Sequence, residues 1–201
     1  ALVTGSAGGI GRIIGQTLAE LGADLILVDR PEVPIEDFAD EIRSNWDVDV
    51  EIAPCDLEDQ DDRARLVRSV GASKRPLNIL VNNAAFVGTS SLDGWVEEFE
   101  GQSVETWRRA LEVNLTAVFD LSKGLSPGLC ESVGGCIINL GSIYGSLAPD
   151  YGLYEGTEMG NPAAYAASKG GLIQLTRWLA TTLAPRVRVN TLSPGGVFRS
   201  Q

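Results

Sequence analysis

Thr4-Gly5-Ser6-Ala7-Gly8-Gly9-Ile10-Gly11 follows directly on the apolar run Ala1-Leu2-Val3 and leads into a helical pattern. Read as strand, turn and helix, the segment gives each glycine a task. Gly5 permits a tight turn, Gly9 lets main-chain N–H groups approach a diphosphate, and Gly11 allows helix and strand to pack closely. Ser6, Gly8 and Ile10 complete the turn, and the helix N-terminus adds partial positive charge where phosphates would lie. A second apolar run, residues 24–28, ends on Asp29. A carboxylate there accepts hydrogen bonds from the 2′ and 3′ hydroxyls of a ribose and repels a 2′-phosphate. The neighbouring Arg30 could reach such a phosphate, but the glycine turn itself carries no basic residue. The expected cofactor is NAD, with NADP as the alternative.

Outward from this turn the hydrophobic pattern keeps alternating. A helix over 11–21 would place Ile13, Ile14, Leu18 and Leu21 on one face, with Gly22 as its stop. Further helices are predicted over 35–45, 58–70, 104–125 and 162–183. Ser103 is positioned to cap the helix over 104–125, and Pro127 with Gly128 to end it. Pro162 stands near the start of the last helix, where proline is tolerated. Strands are predicted over 48–53, 77–81, 136–140 and 187–192. Near-continuous apolar strands alternating with helices imply a mostly parallel, doubly wound sheet in three α/β/α layers, with its ligand at the carboxyl ends of the strands. No repeat or low-complexity linker divides the chain, so residues 1–201 are expected to form one domain.

Composition narrows the partners. The chain has 201 residues, 44% of them hydrophobic and 21% charged, enough to bury a full core. Its formal net charge is −11 with a pI near 4.4, the wrong sign for nucleic acid or an anionic membrane surface. No apolar run reaches the length of a membrane span, and no signal-peptide pattern is present. Three cysteines, Cys55, Cys130 and Cys136, cannot all pair, and the reading is of reduced thiols in a cytoplasmic protein. With no histidine and no C-x-x-C pair, no metal is expected. Trp107 and Trp178 read as core or subunit contacts. The acidic clusters at Glu97, Glu98 and Glu100 and at Asp59, Asp61 and Asp62 read as solvated faces.

Seven segments in a fixed order give the chain a resemblance to the short-chain dehydrogenase/reductase family, from Ala1 to about Arg199. The glycine turn fits T-G-x-x-x-G-x-G. Cys55-Asp56-Leu57 is similar to the segment whose acid meets adenine. Asn82-Asn83-Ala84-Ala85 is similar to the N-N-A-G run along the cofactor, with Ala85 in place of glycine. Asn114 and Ser142 match the asparagine and serine of the catalytic tetrad. Tyr165-Ala166-Ala167-Ser168-Lys169 matches Y-x-x-S-K, which supplies the other two. Ser193-Pro194-Gly195-Gly196 with Val197 resembles the turn over the nicotinamide. The resemblance implies a Rossmann-type fold and an enzyme interconverting a secondary alcohol and a ketone. It also implies that Lys169 contacts the nicotinamide ribose, that Asn114 holds a water linking the lysine to solvent, and that copies pair into a dimer or tetramer through the two long helices.

The spacing makes chemical sense by itself. Tyr165 and Lys169 lie four residues apart and so share a helix face. An ammonium beside a phenol favours tyrosinate and fits it for proton exchange near neutral pH. Ser142, at a strand's carboxyl end, could orient the substrate oxygen. Asn114 is a poor mid-helix residue, which points to a structural water or a helix bend. One departure stands out: Ser142 and Tyr165 are 23 positions apart, a wider gap than core-length members have. The extra stretch, residues 148–161, lacks helix or strand periodicity and carries two tyrosines and two glutamates, suited to a substrate wall for a sugar or polyol. Alternatives are an epimerase or dehydratase using the cofactor transiently, separable by net NADH formation, and a non-catalytic dinucleotide-binding regulator. Family members continue past the proline-glycine turn into a lid, a helix and a last strand. The expectation is therefore of a cofactor half with its tetrad and an incomplete substrate pocket.

Overall fold

The computed structural model describes residues 1–87, 92–157 and 159–197. Six strands form one wholly parallel sheet in the order β3-β2-β1-β4-β5-β6. They are β1 (Leu2–Thr4), β2 (Leu25–Val28), β3 (Val50–Ile52), β4 (Ile79–Asn82), β5 (Cys136–Leu140) and β6 (Arg188–Leu192). Leu2 pairs with Ile26 on one side and Leu80 on the other, so the strand order reverses between β1 and β4. A crevice opens at the carboxyl ends of those two strands, where ligands of doubly wound sheets lie.

Helices α1 (Gly9–Glu20) and α2 (Glu36–Asn45) cover one face, where Phe38, Ala39 and Ile42 pack on Leu25 and Leu27. The opposite face carries α3 (Gln60–Ala72), α4 (Val104–Leu111), α5 (Ala117–Glu131) and α6 (Ala163–Leu183). There Leu66, Leu121, Leu125, Leu129 and Leu179 meet Leu2, Leu80 and Ile137. The doubly wound α/β fold expected from the alternation is the fold observed. An open cleft of about 430 Å³, lined by Ile79, Ile138, Asn190 and Leu192 among others, lies over the β4–β6 end of the sheet. Among the described residues no helix is long and apolar enough to cross a membrane, and no cluster of side chains is arranged to hold a metal ion.

Three local expectations are corrected. In α1, Ile13 and Leu21 face solvent at 63% and 77% exposure, and the buried positions are Gly11, Gly15 and Ala19. The helix lies too close to its neighbours for large side chains, since a Cβ on Gly15 would come 3.2 Å from the Phe38 ring. Pro127 and Gly128 do not end the helix; α5 runs through both to Glu131. Proline cannot supply the N–H that would bond the carbonyl four residues back. Here the Ser126 hydroxyl donates to that carbonyl, Lys123 O, at 3.0 Å. Trp107 and Trp178 are 37% and 56% exposed, which excludes the core reading for both.

Candidate functional site

The glycine turn sits at the reversal of strand order. Gly5 adopts φ +63°, and a Cβ there would press within 2.8 Å of Ala84 Cα, so the ends of β1 and β4 close only around glycine. At Gly11 a Cβ would fall 2.1 Å from the Gly5 carbonyl. Asn83 ties the same corner, donating from Nδ2 to Thr4 O at 2.9 Å and Gly5 O at 3.0 Å. Ser6 is fully buried and its hydroxyl donates to Val28 O, so this serine builds the turn from within. Ile10 packs on the core beside Val3 and Val81.

Around Gly9, by contrast, no other part of the described residues beyond its own helix turn comes within 4 Å of where a Cβ would stand. Gly8 and Gly9 are exposed, and α1 begins without an acidic residue in its first turn or, among the described residues, a side-chain cap. Its first N–H groups therefore face open space beside a positive helix end, a cradle that fits a diphosphate. Asp29 lies at the rim of that cradle. Its Oδ2 accepts from the Ala7 N–H and its Oδ1 from the Arg30 N–H, each at 2.9 Å, which fixes the carboxylate beside the turn. Arg30 points elsewhere, pairing with Glu32 at 3.1 Å. Asp56 accepts from the Glu58 N–H, and the Leu57 side chain joins the core, so Leu57 has only main-chain groups to offer a ligand. Ala84 and Ala85 follow β4 and are half-buried.

At the far side of the crevice, Ser142 stands two residues past β5 and caps a short turn, Ile143–Gly145, accepting from the Tyr144 N–H at 3.2 Å. The Ile143 N–H donates to Pro194 O at 3.2 Å, joining this turn to the segment after β6 that includes Gly195 and the exposed Val197. Helix α6 crosses here. Gly145 is the point of contact, since a Cβ on it would lie 2.7 Å from Lys169 O. Lys169 is 2% exposed, and its Nζ sits 5.7 Å from the Tyr165 ring centroid. Burial pulls the ammonium down to about 8 from its ordinary 10.5.

Asn114 occupies a π turn, Glu112–Thr116, between α4 and α5, the bend its placement suggested. Its Oδ1 accepts from the Phe86 N–H at 2.6 Å, while Nδ2 donates to Phe86 O and Ser168 Oγ. Both Nδ2 hydrogens are thus used within the protein, and Oδ1 keeps a second lone pair. Tyr165 packs in a small cluster with Trp95, Phe86 and Ala110, where Phe86 and Trp95 meet edge to face at 5.1 Å.

Sequence reasoning missed three features. Arg63, 2% exposed, donates to Leu57 O, Glu112 and Asp120, joining the loop after β3 to the π turn and to α5. Tyr154 meets Tyr144 hydroxyl to hydroxyl. Asn161 is buried just before α6 with neither side-chain polar atom paired among the described residues. A buried-position arginine in the helical pattern of α3 was the one available signal; the other two depend on how the insertion folds back.

The profile described as short chain dehydrogenase matches residues 1–200. A 3-oxoacyl-(acyl-carrier-protein) reductase of rhamnolipid biosynthesis from Pseudomonas aeruginosa is 35% identical over 97% of this chain and 71% of its own length. A short-chain dehydrogenase from Sphingobium yanoikuyae in complex with NADPH superposes with a TM-score of 0.82 at 29% identity, covering 98% of this chain and 70% of that one. An NAD⁺-bound xylitol dehydrogenase superposes with a TM-score of 0.81 at 31% identity, over 96% and 68% of the two chains.

Proposed function

The chain belongs to the short-chain dehydrogenase family, and from that premise we propose that it interconverts a secondary alcohol and a ketone, with Tyr165 exchanging the proton. The observation that carries this is the buried Lys169 ammonium 5.7 Å from the Tyr165 ring, on one face of α6, at the strand end where Ser142 stands. A bound nicotinamide supplies the hydride acceptor or donor. Alcohol oxidation gives up a hydride from carbon and a proton from oxygen; the proton goes to the Tyr165 oxygen, and reduction reverses both movements. Ser142 orients the reacting oxygen, its Oγ accepting from the Tyr144 N–H and its proton free for substrate. Lys169 favours the tyrosinate form and reaches the ribose. Asn114 supports the relay, its amide bonded to Phe86 and Ser168 and the second lone pair of its Oδ1 able to take a water that links Lys169 to solvent.

On this reading residues 1–201 form one domain that would hold the cofactor. Gly5, Ser6, Gly8, Gly9, Ile10 and Gly11 would cradle its diphosphate, and Asp29 and Arg30 would meet its adenosine ribose. Asp56 and Leu57 would serve the adenine, Asn83, Ala84 and Ala85 the dinucleotide, and Pro194, Gly195 and Val197 the nicotinamide. NAD is preferred, because Asp29 fronts the ribose while Arg30 is turned to Glu32. The substrate is a small sugar or polyol, supported by the polar insertion and by the likeness to a xylitol dehydrogenase. The protein works in the cytoplasm as a homo-oligomer, its copies meeting through α4, α5 and α6, whose outer faces expose Trp107, Phe119 and Trp178.

Tyr165→Phe tests the central assignment. The expected result is loss of turnover with NADH binding retained; substantial turnover by the variant would falsify it.

A further inference from the structure

The insertion between Ser142 and Tyr165 turns only one of its aromatic side chains inward. Within the single turn Tyr151–Tyr154, Tyr151 and Leu153 are 67% and 68% exposed, whereas Tyr154 is half-buried and its hydroxyl donates to that of Tyr144 at 2.6 Å. Tyr144 lies two residues past Ser142, and its own N–H donates to Ser142 Oγ. The residue that pairs with Tyr154 therefore stands on the short turn capped by Ser142, the hydroxyl expected to hold the substrate oxygen.

The hydroxyl protons of these three residues show what is left over. Tyr154 uses its hydroxyl proton on Tyr144. The Tyr144 and Ser142 hydroxyl protons have no acceptor among the described residues. The pair thus offers one donor, Tyr144 O–H, and one acceptor, the Tyr154 oxygen, side by side. That combination suits an alcohol, which both accepts and donates. Burial, the bond to Tyr144 and the negative charge that Tyr144, Tyr165 and Tyr151 would carry as tyrosinates all raise the Tyr154 phenol above its ordinary range. Tyr154 therefore stays a neutral donor while Tyr165 cycles its proton, and it stands within electrostatic reach of that residue.

We propose that the Tyr144–Tyr154 hydroxyl pair is a specificity determinant that binds a hydroxyl on the carbon next to the reacting carbonyl, selecting α-hydroxy ketones and vicinal diols over their deoxy counterparts. A substrate with oxygens on adjacent carbons would offer one to Ser142 and Tyr165 and the other to the tyrosine pair. A ketone lacking the neighbouring hydroxyl leaves the pair's donor and acceptor unmatched, which costs binding in the productive complex. This rests on the alcohol–ketone activity and polyol substrate class proposed above.

The test compares 3-hydroxybutan-2-one with butan-2-one, and xylitol with pentan-2-ol, by steady-state kinetics on the full chain. The expected result is a wild-type preference in kcat/KM for the hydroxylated member of each pair, falling about tenfold in Tyr154→Phe, mostly through KM. Tyr144→Phe should lower the ratio in the same direction, and it carries the test should Tyr154→Phe fail to melt as a folded protein. The double variant should lose little more than either single one, since the pair acts as a unit. A wild-type preference that survives both changes overturns the role of the pair alone. A wild type that turns over the deoxy compounds and shows no preference for the hydroxylated ones overturns the substrate class itself.

Discussion

The Lys169 ammonium donates to the Leu140 carbonyl at 2.7 Å, from a position 2% exposed. One main-chain acceptor does not replace the water the charge has lost, and its pKa falls to about 8 through burial. Below pH 8 both folded and unfolded chains hold the proton, and the folded state bears the full cost of the buried charge. Between 8 and 10.5 the folded state has released a proton that the unfolded state still holds, so stability rises with pH; above 10.5 the cost is gone. The drop from 10.5 to about 8 corresponds to something on the order of 3 kcal/mol. Urea unfolding of wild type and Lys169→Met without cofactor, from pH 7 to 10.5, should show their difference moving in the wild type's favour. A difference that does not change with pH would contradict this.

Gly9 and Gly11 stand two residues apart and should answer alanine in opposite ways. At Gly11 the new methyl would meet the Gly5 carbonyl at 2.1 Å, a rigid main-chain contact. The expected loss is at or above the upper end of the ~1–3 kcal/mol for overpacking, read as a lower melting temperature. At Gly9 the methyl enters open space at the first position of a helix, where alanine is the better helix former. Gly9→Ala should therefore melt no lower than wild type. Its NADH dissociation constant should still rise at least tenfold, because that space is where the diphosphate is placed. Unchanged NADH binding in a folded Gly9→Ala protein would move the cofactor elsewhere.

What could be read from the sequence was whatever lies in local pattern. β5, Cys136–Leu140, matches its predicted bounds because five residues of strand are closed off by Gly135 and Gly141. Ser103 caps α4 as its position suggested, accepting from the Glu105 and Thr106 N–H groups. Asn114 reads as out of place in an ordinary helix, which points to a structural water or a helix bend, and the structure places it in a π turn. The remainder is set by contacts between distant residues. Arg63 reads as a charged helix residue until Glu112 and Asp120 are brought to it. Pro127 reads as a helix end until the Ser126 hydroxyl is seen on Lys123 O. The facing of Tyr154 follows from the path of an irregular insertion, which no periodicity encodes.

Arg63 and Arg109 both pair with acids, and burial should separate them. The buried Arg63 side chain donates to Glu112, Asp120 and the Leu57 carbonyl. Arg63→Met leaves that carbonyl unpaired and releases the π turn at Glu112 and α5 at Asp120. Because Glu112 and Asp120 are about a third exposed and can rehydrate, the loss should be roughly 2–3 kcal/mol, below the range for a fully buried pair. Arg109 with Glu58, 43% and 33% exposed, should cost no more than about 1 kcal/mol when changed to Met. Denaturant midpoints give the comparison, and equal losses would refute it.

The Asp29 carboxylate should set the cofactor preference. Both its oxygens are held by main-chain N–H groups, Oδ2 by Ala7 and Oδ1 by Arg30, so the negative charge is fixed at the rim of the phosphate cradle. A 2′-phosphate brought there meets a carboxylate that cannot swing away, whereas a ribose diol can donate to its remaining lone pairs. Arg30 offers little compensation while it faces Glu32, although that pair is 62% and 63% exposed and weakly held. Wild type should therefore use NADH in preference to NADPH, and Asp29→Ser should shift the kcat/KM ratio towards NADPH at least tenfold. Adding Glu32→Gln frees the guanidinium and should carry the shift further. A wild type that prefers NADPH would show that Arg30 leaves Glu32 for the phosphate, and the preference would then fall on Arg30→Ala.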